Sequence, residues 1–91
     1  MLDITHAAGA VIGGLAGGAG GLRIDWADRD GVRAITLAIA ARPVTHDEVV
    51  ASPTGGLVFL APAAARHLSD KLLDVRMDVD GRFRFAFNHK H

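Results

Sequence analysis

The sequence predicts an α+β domain of mixed, mostly antiparallel β-strands with two short helices. Three observations predict it. An alanine- and glycine-rich stretch near the start carries apolar residues at helical spacing. From Leu22 onward the apolar period changes to two, and turn residues punctuate the chain at short intervals. No internal repeat appears, and 91 residues suffice for one compact core but not for two.

Taken in order, Leu2 and Ile4 enter as an apolar strand or staple, and Thr5 has the chemistry of a helix N-cap. Ala7, Ala8, Val11, Ile12 and Leu15 then place one apolar stripe on a helix. Gly9, Gly13 and Gly14 each cost that helix up to about 1 kcal/mol relative to alanine, so it needs close packing against a sheet. Gly17, Gly18, Gly20 and Gly21 end it. Leu22, Ile24 and Trp26 alternate with Arg23 and Asp25 as a half-buried strand. Asp28-Arg29-Asp30-Gly31 reads as a turn and Ala34 to Ala40 as the returning strand, which makes a hairpin. Arg42-Pro43 interrupts, and Val44 to Ala51 reads as a third, partly solvated strand.

Ser52-Pro53-Thr54-Gly55-Gly56 is a turn, and Leu57 to Leu60 a short, strongly apolar strand. Pro62 suits the first turn of a short helix running to about Leu68. The clearest strand follows: Leu73, Val75, Met77 and Val79 alternate with Asp74, Arg76, Asp78 and Asp80. Asp80-Gly81 signals a hairpin, after which Arg82 and Arg84 alternate with Phe83, Phe85 and Phe87. Depending on register, these arginines lie opposite Asp74, Arg76 or Asp78.

Composition narrows the function. The chain has no cysteine, which removes disulfides, thiolate nucleophiles and thiolate-held metals together. Ten basic residues balance ten acidic ones without a run of either sign, so the sequence lacks the basic face that phosphate binding needs. The uncharged run from Ala7 to Leu22 is shorter than the roughly 20 residues of a spanning helix and is rich in glycine. Asp3 precedes it and no lysine or arginine comes before Arg23, unlike a signal peptide. No nucleic acid and no membrane are therefore expected as partners, and the location expected is cytoplasmic. No G-x-x-x-x-G-K-[ST] pattern is present among the glycines. An alanine-rich core with few aromatic anchors predicts modest stability or help from a partner chain.

The order of these signals resembles one family. Ile4-Thr5 with Ala7-Ala8, then Gly21-Leu22-Arg23-Ile24, is similar to the start of the HesB-like, A-type iron–sulfur carriers. Gly56-Leu57-Val58-Phe59-Leu60-Ala61-Pro62 resembles the segment in which a strand enters a short helical turn. Leu73-Asp74-Val75-Arg76-Met77-Asp78 resembles the following strand. Phe83-Arg84-Phe85-Ala86-Phe87-Asn88 resembles the phenylalanine-and-asparagine element that closes the family's core. The resemblance implies a single HesB-like domain over residues 1–91, with a Gly-rich helix-to-strand connection around 17–21 and a short polar tail at 88–91. It also implies a homodimer or other homo-oligomer and an iron–sulfur maturation partner protein. In functional members three cysteines hold a cluster or iron. One lies in the hairpin, where this chain has Asp28 to Val32; a Cys-x-Cys pair lies beyond the asparagine element, where this chain has only His89 to His91. No catalytic, cofactor-binding or metal residue carries over, and no cofactor is expected. The function expected is that of a non-catalytic, carrier-like domain acting through protein contacts.

Two alternatives are a histidine- and carboxylate-based metal binder and a small enzyme. His89 and His91 are the nearest pair to a metal motif, with Asp28, Asp30 or His46 to complete it in space. Asp74, Asp78 and Asp80 have the chemistry of an oxygen-ligand cation site, though alternation with core residues explains them without one. His46-Asp47-Glu48 combines a base with two acids, but adjacent strand residues face opposite sides. His6 and His67 are scattered, Ser52 and Ser69 are the only serines, and His67 suits a helix end or a packing position.

Overall fold

The computed structural model describes residues 1–90, which form two sheets and two helices. Strands β1 (Asp3–Ile4), β6 (Lys71–Met77) and β7 (Phe83–His89) make a three-stranded sheet in the order β1-β6-β7. Strands β2 (Gly21–Arg29), β3 (Val32–Ala40), β4 (Glu48–Ala51) and β5 (Leu57–Leu60) make a four-stranded sheet in the order β3-β2-β5-β4. Pairing is antiparallel except at β1–β6 and β2–β5. This is the α+β architecture predicted by the change of period along the chain.

Helix α1 (His6–Ala16) starts where Thr5 Oγ1 accepts the Ala8 amide at 3.1 Å, and it ends at Gly17 in the left-handed conformation. Its buried face is narrower than the predicted stripe. Ala8, Gly9 and Ile12 are buried, whereas Ala7 and Leu15 are exposed. Gly9 is the reason for the shift: a Cβ there would collide with the Ser52 and Thr54 hydroxyls of the turn between β4 and β5. The missing side chain lets the helix backbone sit on that turn, and Thr54 Oγ1 donates to the His6 carbonyl at 2.9 Å across the join. Helix α2 (Pro62–His67) follows β5 directly, with proline in its first turn.

One core joins these layers. Leu2 and Ile4, Ala8 and Ile12 of α1, Leu22 and Ile24 of β2, Val58 and Leu60 of β5, Leu68 and Leu73 are all buried together. Trp26, Val75, Phe85 and Phe87 pack on its rim. In β6–β7 the register sets Leu73 against Phe87 and Val75 against Phe85, which gathers the phenylalanines onto the core face. The same register puts Arg84 opposite Arg76, and Arg84 turns diagonally to Asp78 at 3.4 Å.

Three boundaries differ from the periodicity. β3 begins at Val32, because Asp30 (φ 52°) and Gly31 (φ 77°) form a two-residue turn with both central residues left-handed. β6 ends at Met77. The Asp78 amide donates to the Arg82 carbonyl at 2.8 Å, and Val79 stands in solvent in the intervening loop with Gly81 left-handed. The third strand covers only Glu48–Ala51, since residues 44–47 form a turn in which the Asp47 amide donates to the Val44 carbonyl and His46 is left-handed (φ 72°).

Candidate functional site

The place to look for cluster chemistry is the tip of the β2–β3 hairpin. The two-residue turn carries Asp28, Arg29, Asp30, Gly31 and Val32 to the end of a long ribbon, and all five are exposed. Two carboxylates, a guanidinium, a glycine and a valine offer hard oxygen donors and no sulfur, so the tip does not fit an iron–sulfur cluster or iron bound as in the carriers.

The second candidate region is the far end of β7. His89 lies in the strand, with its Nδ1 2.9 Å from Lys71 Nζ, so the ammonium donates to one ring nitrogen. Lys90 donates to the carbonyls of Met1 and Ser69 (3.2 Å to the latter) and approaches Asp3 at 3.4 Å. The Lys71 ammonium therefore occupies one ring nitrogen of His89 and places a positive charge where a metal ion would bind. His91 lies outside the described residues. Among the described residues no three His, Cys, Asp or Glu side chains converge as a metal site.

His46 sits beside Asp47 in the turn before β4. Asp47 is bound to Arg23, which lies about 17 Å along β2 from Asp28 at 3.3–3.4 Å per residue. The predicted grouping of Asp28 or Asp30 with His46 is thus spread along the ribbon. Asp74 Oδ1 accepts from Thr5 Oγ1 at 2.9 Å and from the Val75 amide at 2.8 Å. Asp78 pairs with Arg84, and Asp80 with Arg82 at 3.5 Å. Each of the three carboxylates has its own partner.

Two contacts, Arg23 with Asp47 and His67 with Trp26, were invisible in the local sequence. Arg23 grips Asp47 through two nitrogens, Nε and the second guanidinium nitrogen, each at 3.1 Å, and also reaches Asp25 at 3.3 Å. The Asp47 side chain is fully buried and also accepts the Val44 amide at 3.0 Å. Burial alone would push its carboxyl up, but the Val44 amide and Arg23 outweigh it and hold it below the usual aspartate value; Asp47 in turn raises the guanidinium of Arg23. This is a structural clasp: His46 and Asp47 belong to a turn tied to β2, and of the triplet only Glu48 keeps strand geometry. His67 stacks on Trp26 with ring centroids 4.4 Å apart, which makes it a packing residue. Ser52 is buried, and its Oγ accepts the Thr54 and Gly56 amides at 3.2 and 3.1 Å, which organises the turn under α1. Ser69 Oγ donates to the Arg66 carbonyl at 3.3 Å.

Comparison with known proteins places this architecture. Neither a family model nor a curated protein matches the sequence. Among solved structures, SufA of Escherichia coli, described as involved in biosynthesis of iron–sulfur clusters, superposes with a TM-score of 0.74. It is 21% identical, and the match covers 93% of this chain and 78% of SufA. A structure of IscA with the [2Fe-2S] cluster gives a TM-score of 0.72 at 27% identity, covering 98% of this chain and 82% of IscA. The structure matches the A-type iron–sulfur carrier family. What distinguishes this carrier-like domain is its chemistry. It keeps the HesB-like fold across its length while its 91 residues contain no cysteine ligand. Among the described residues no helix is long and apolar enough to cross a membrane, and no pocket is enclosed.

Proposed function

We propose that this chain is a non-catalytic, carrier-like domain that acts in iron–sulfur cluster maturation through protein contacts and does not itself hold the cluster through cysteine. One observation carries the reading: a fold matching IscA over 98% of the chain, with Asp28 to Val32 at the hairpin tip and no thiolate anywhere. The contacts divide into homo-oligomer formation and recognition of a maturation partner in the cytoplasm. Residues 1–91 act as one HesB-like unit, joined between helix and strand by the glycines around 17–21. A domain of carrier shape without ligands has the means to occupy a carrier's place beside a partner and no soft donors for its cargo.

The test has two arms. Anaerobic reconstitution with iron and sulfide, followed by metal analysis, is expected to leave well under one iron per chain and no cluster absorbance. Titration with a cysteine-bearing A-type carrier and with a [2Fe–2S]-loaded scaffold protein is expected to show saturable binding to at least one of them. Stoichiometric iron or cluster on the wild-type chain overturns the reading, and so does absence of binding to both proteins.

A further inference from the structure

The feature that the fold leaves unused is the outer edge of β3. All of Val32 to Ile39 is exposed, including Ile35, Leu37 and Ile39 at 40%, 39% and 48%, although the strand is nearly all apolar. Among the described residues it ends the sheet, with β2 on one side and no strand on the other. The register settles which backbone groups are free. The two-residue turn makes Arg29 and Val32 a hydrogen-bonded pair, so the even-numbered residues of β3 bond to β2. The N–H and C=O groups of Arg33, Ile35, Leu37 and Ile39 therefore point outward. β3 contains no proline and no lysine, and its pairing with β2 runs from Val32 to Ala40 without a bulge, so apart from the single charge of Arg33 the usual protections of an edge strand are missing.

We propose that this edge docks a second copy of the chain, with β3 pairing antiparallel to its counterpart about a two-fold axis at Thr36. The proposal rests on the reading that the chain acts through protein contacts, and it names the surface and the register. Only a two-fold at Thr36 pairs all four outward-facing residues of β3 with one another. Arg33 lies opposite Ile39 of the partner subunit, and Ile35 opposite the partner's Leu37, each exchanging both backbone groups. The two four-stranded sheets become one continuous sheet.

Self-complementarity selects a second copy over another strand. Ile35, Leu37 and Ile39 share one face of β3, and the two-fold joins the two apolar rows side by side on that face. On the other face the contacts are small: Thr36 meets its own copy, and Ala34 meets the partner's Ala38. Arg33, the one charge in the strand, meets no like charge. Beyond the paired strands the two-fold sets the hairpin tip, which carries Asp30, beside the partner's segment after Ala40, which carries Arg42, and repeats this opposition of charge at the other end.

The absence of native cysteine makes the register directly testable on the full chain. In a non-hydrogen-bonded antiparallel pair the Cα atoms lie about 4.5 Å apart, within disulfide reach. Under mild oxidant, Thr36→Cys is expected to form a covalent dimer in at least tenfold higher yield than the exposed control Val44→Cys. Sedimentation is expected to give a dimer for the wild type and a monomer for Ile35→Lys, which sets two ammonium groups diagonally across the two-fold, with an unchanged far-UV spectrum. If Ile35→Lys does not fold, the Thr36→Cys yield decides. A wild-type monomer overturns the proposal, as does a dimer that survives Ile35→Lys or fails to cross-link through Thr36→Cys. A monomer that still binds a carrier or scaffold leaves the proposed function standing, whereas a β3-paired dimer that binds neither removes the function and keeps the interface.

Discussion

β3 and β5 are both apolar runs in the same sheet, yet they end in opposite environments. β5 buries Val58 and Leu60 in the main core and Phe59, 2% exposed, on the other face. β3 is longer and buries no residue completely. The difference lies in their neighbours. β5 has a strand on each side, α1 against the turn that leads into it, and α2 leaving its end. Even its outer face is attended, since Arg23, which the parallel register sets opposite Phe59, holds the 44–47 turn there through Asp47. β3 has one neighbouring strand. Hydrophobicity sets the gain available from burial, but position in the sheet decides whether one chain can collect it.

The contrast can be broken most severely from the inside. Ile24→Ala, in the strand beside β5, is expected to destabilise the domain by about 3 kcal/mol through lost burial and a cavity, whereas Leu37→Ala on β3 is expected to cost well under 1 kcal/mol in a monomeric sample. Urea denaturation at low protein concentration checks both. Equal losses would mean that β3 is buried in the monomer.

The cover over the β5 turn is tested next. Gly9→Ala forces a methyl group into the Ser52 and Thr54 hydroxyls and is expected to cost about 2 kcal/mol. Gly14→Ala, on the same helix but with open space around it, is expected to stabilise by roughly 0.5–1 kcal/mol. Opposite signs of the two shifts in melting temperature are the discriminating result.

The outer clasp gives a similar or smaller effect with a pH signature. Asp47→Asn is expected to cost roughly 2 kcal/mol near neutral pH by removing a charge-assisted bond to Arg23. The native Asp47 carboxyl lies below its ordinary value, so its contribution is fully present above about pH 4 and is lost as pH falls through the lower native value. Denaturation midpoints of wild type and variant should therefore converge in that acidic window. A difference that stays constant to low pH would remove the charge from the explanation.

The local elements were legible because they depend on neighbours in sequence. Thr5 caps α1, Pro62 starts α2, and Asp30-Gly31 turns the hairpin by the conformational preferences of one or two residues. The candidate chemistry was legible in the same way, as an absence of thiolate that is a property of the chain itself. Gly9 read as a liability to its helix, because the hydroxyls that need the space of its missing side chain come from Ser52 and Thr54, far along the chain. Residues 44–47 read as strand because the guanidinium that captures Asp47 belongs to β2.

By itself, then, the sequence determined the kinds of elements, their order, and the lack of soft ligands, since period, turn chemistry and donor type are local. Only the tertiary structure decided that Phe59 is enclosed while Leu37 is exposed, that His67 lies flat on Trp26, and that Lys71 holds His89. Those outcomes depend on which strands become neighbours, and pairing between distant segments is set by the packing of the whole chain.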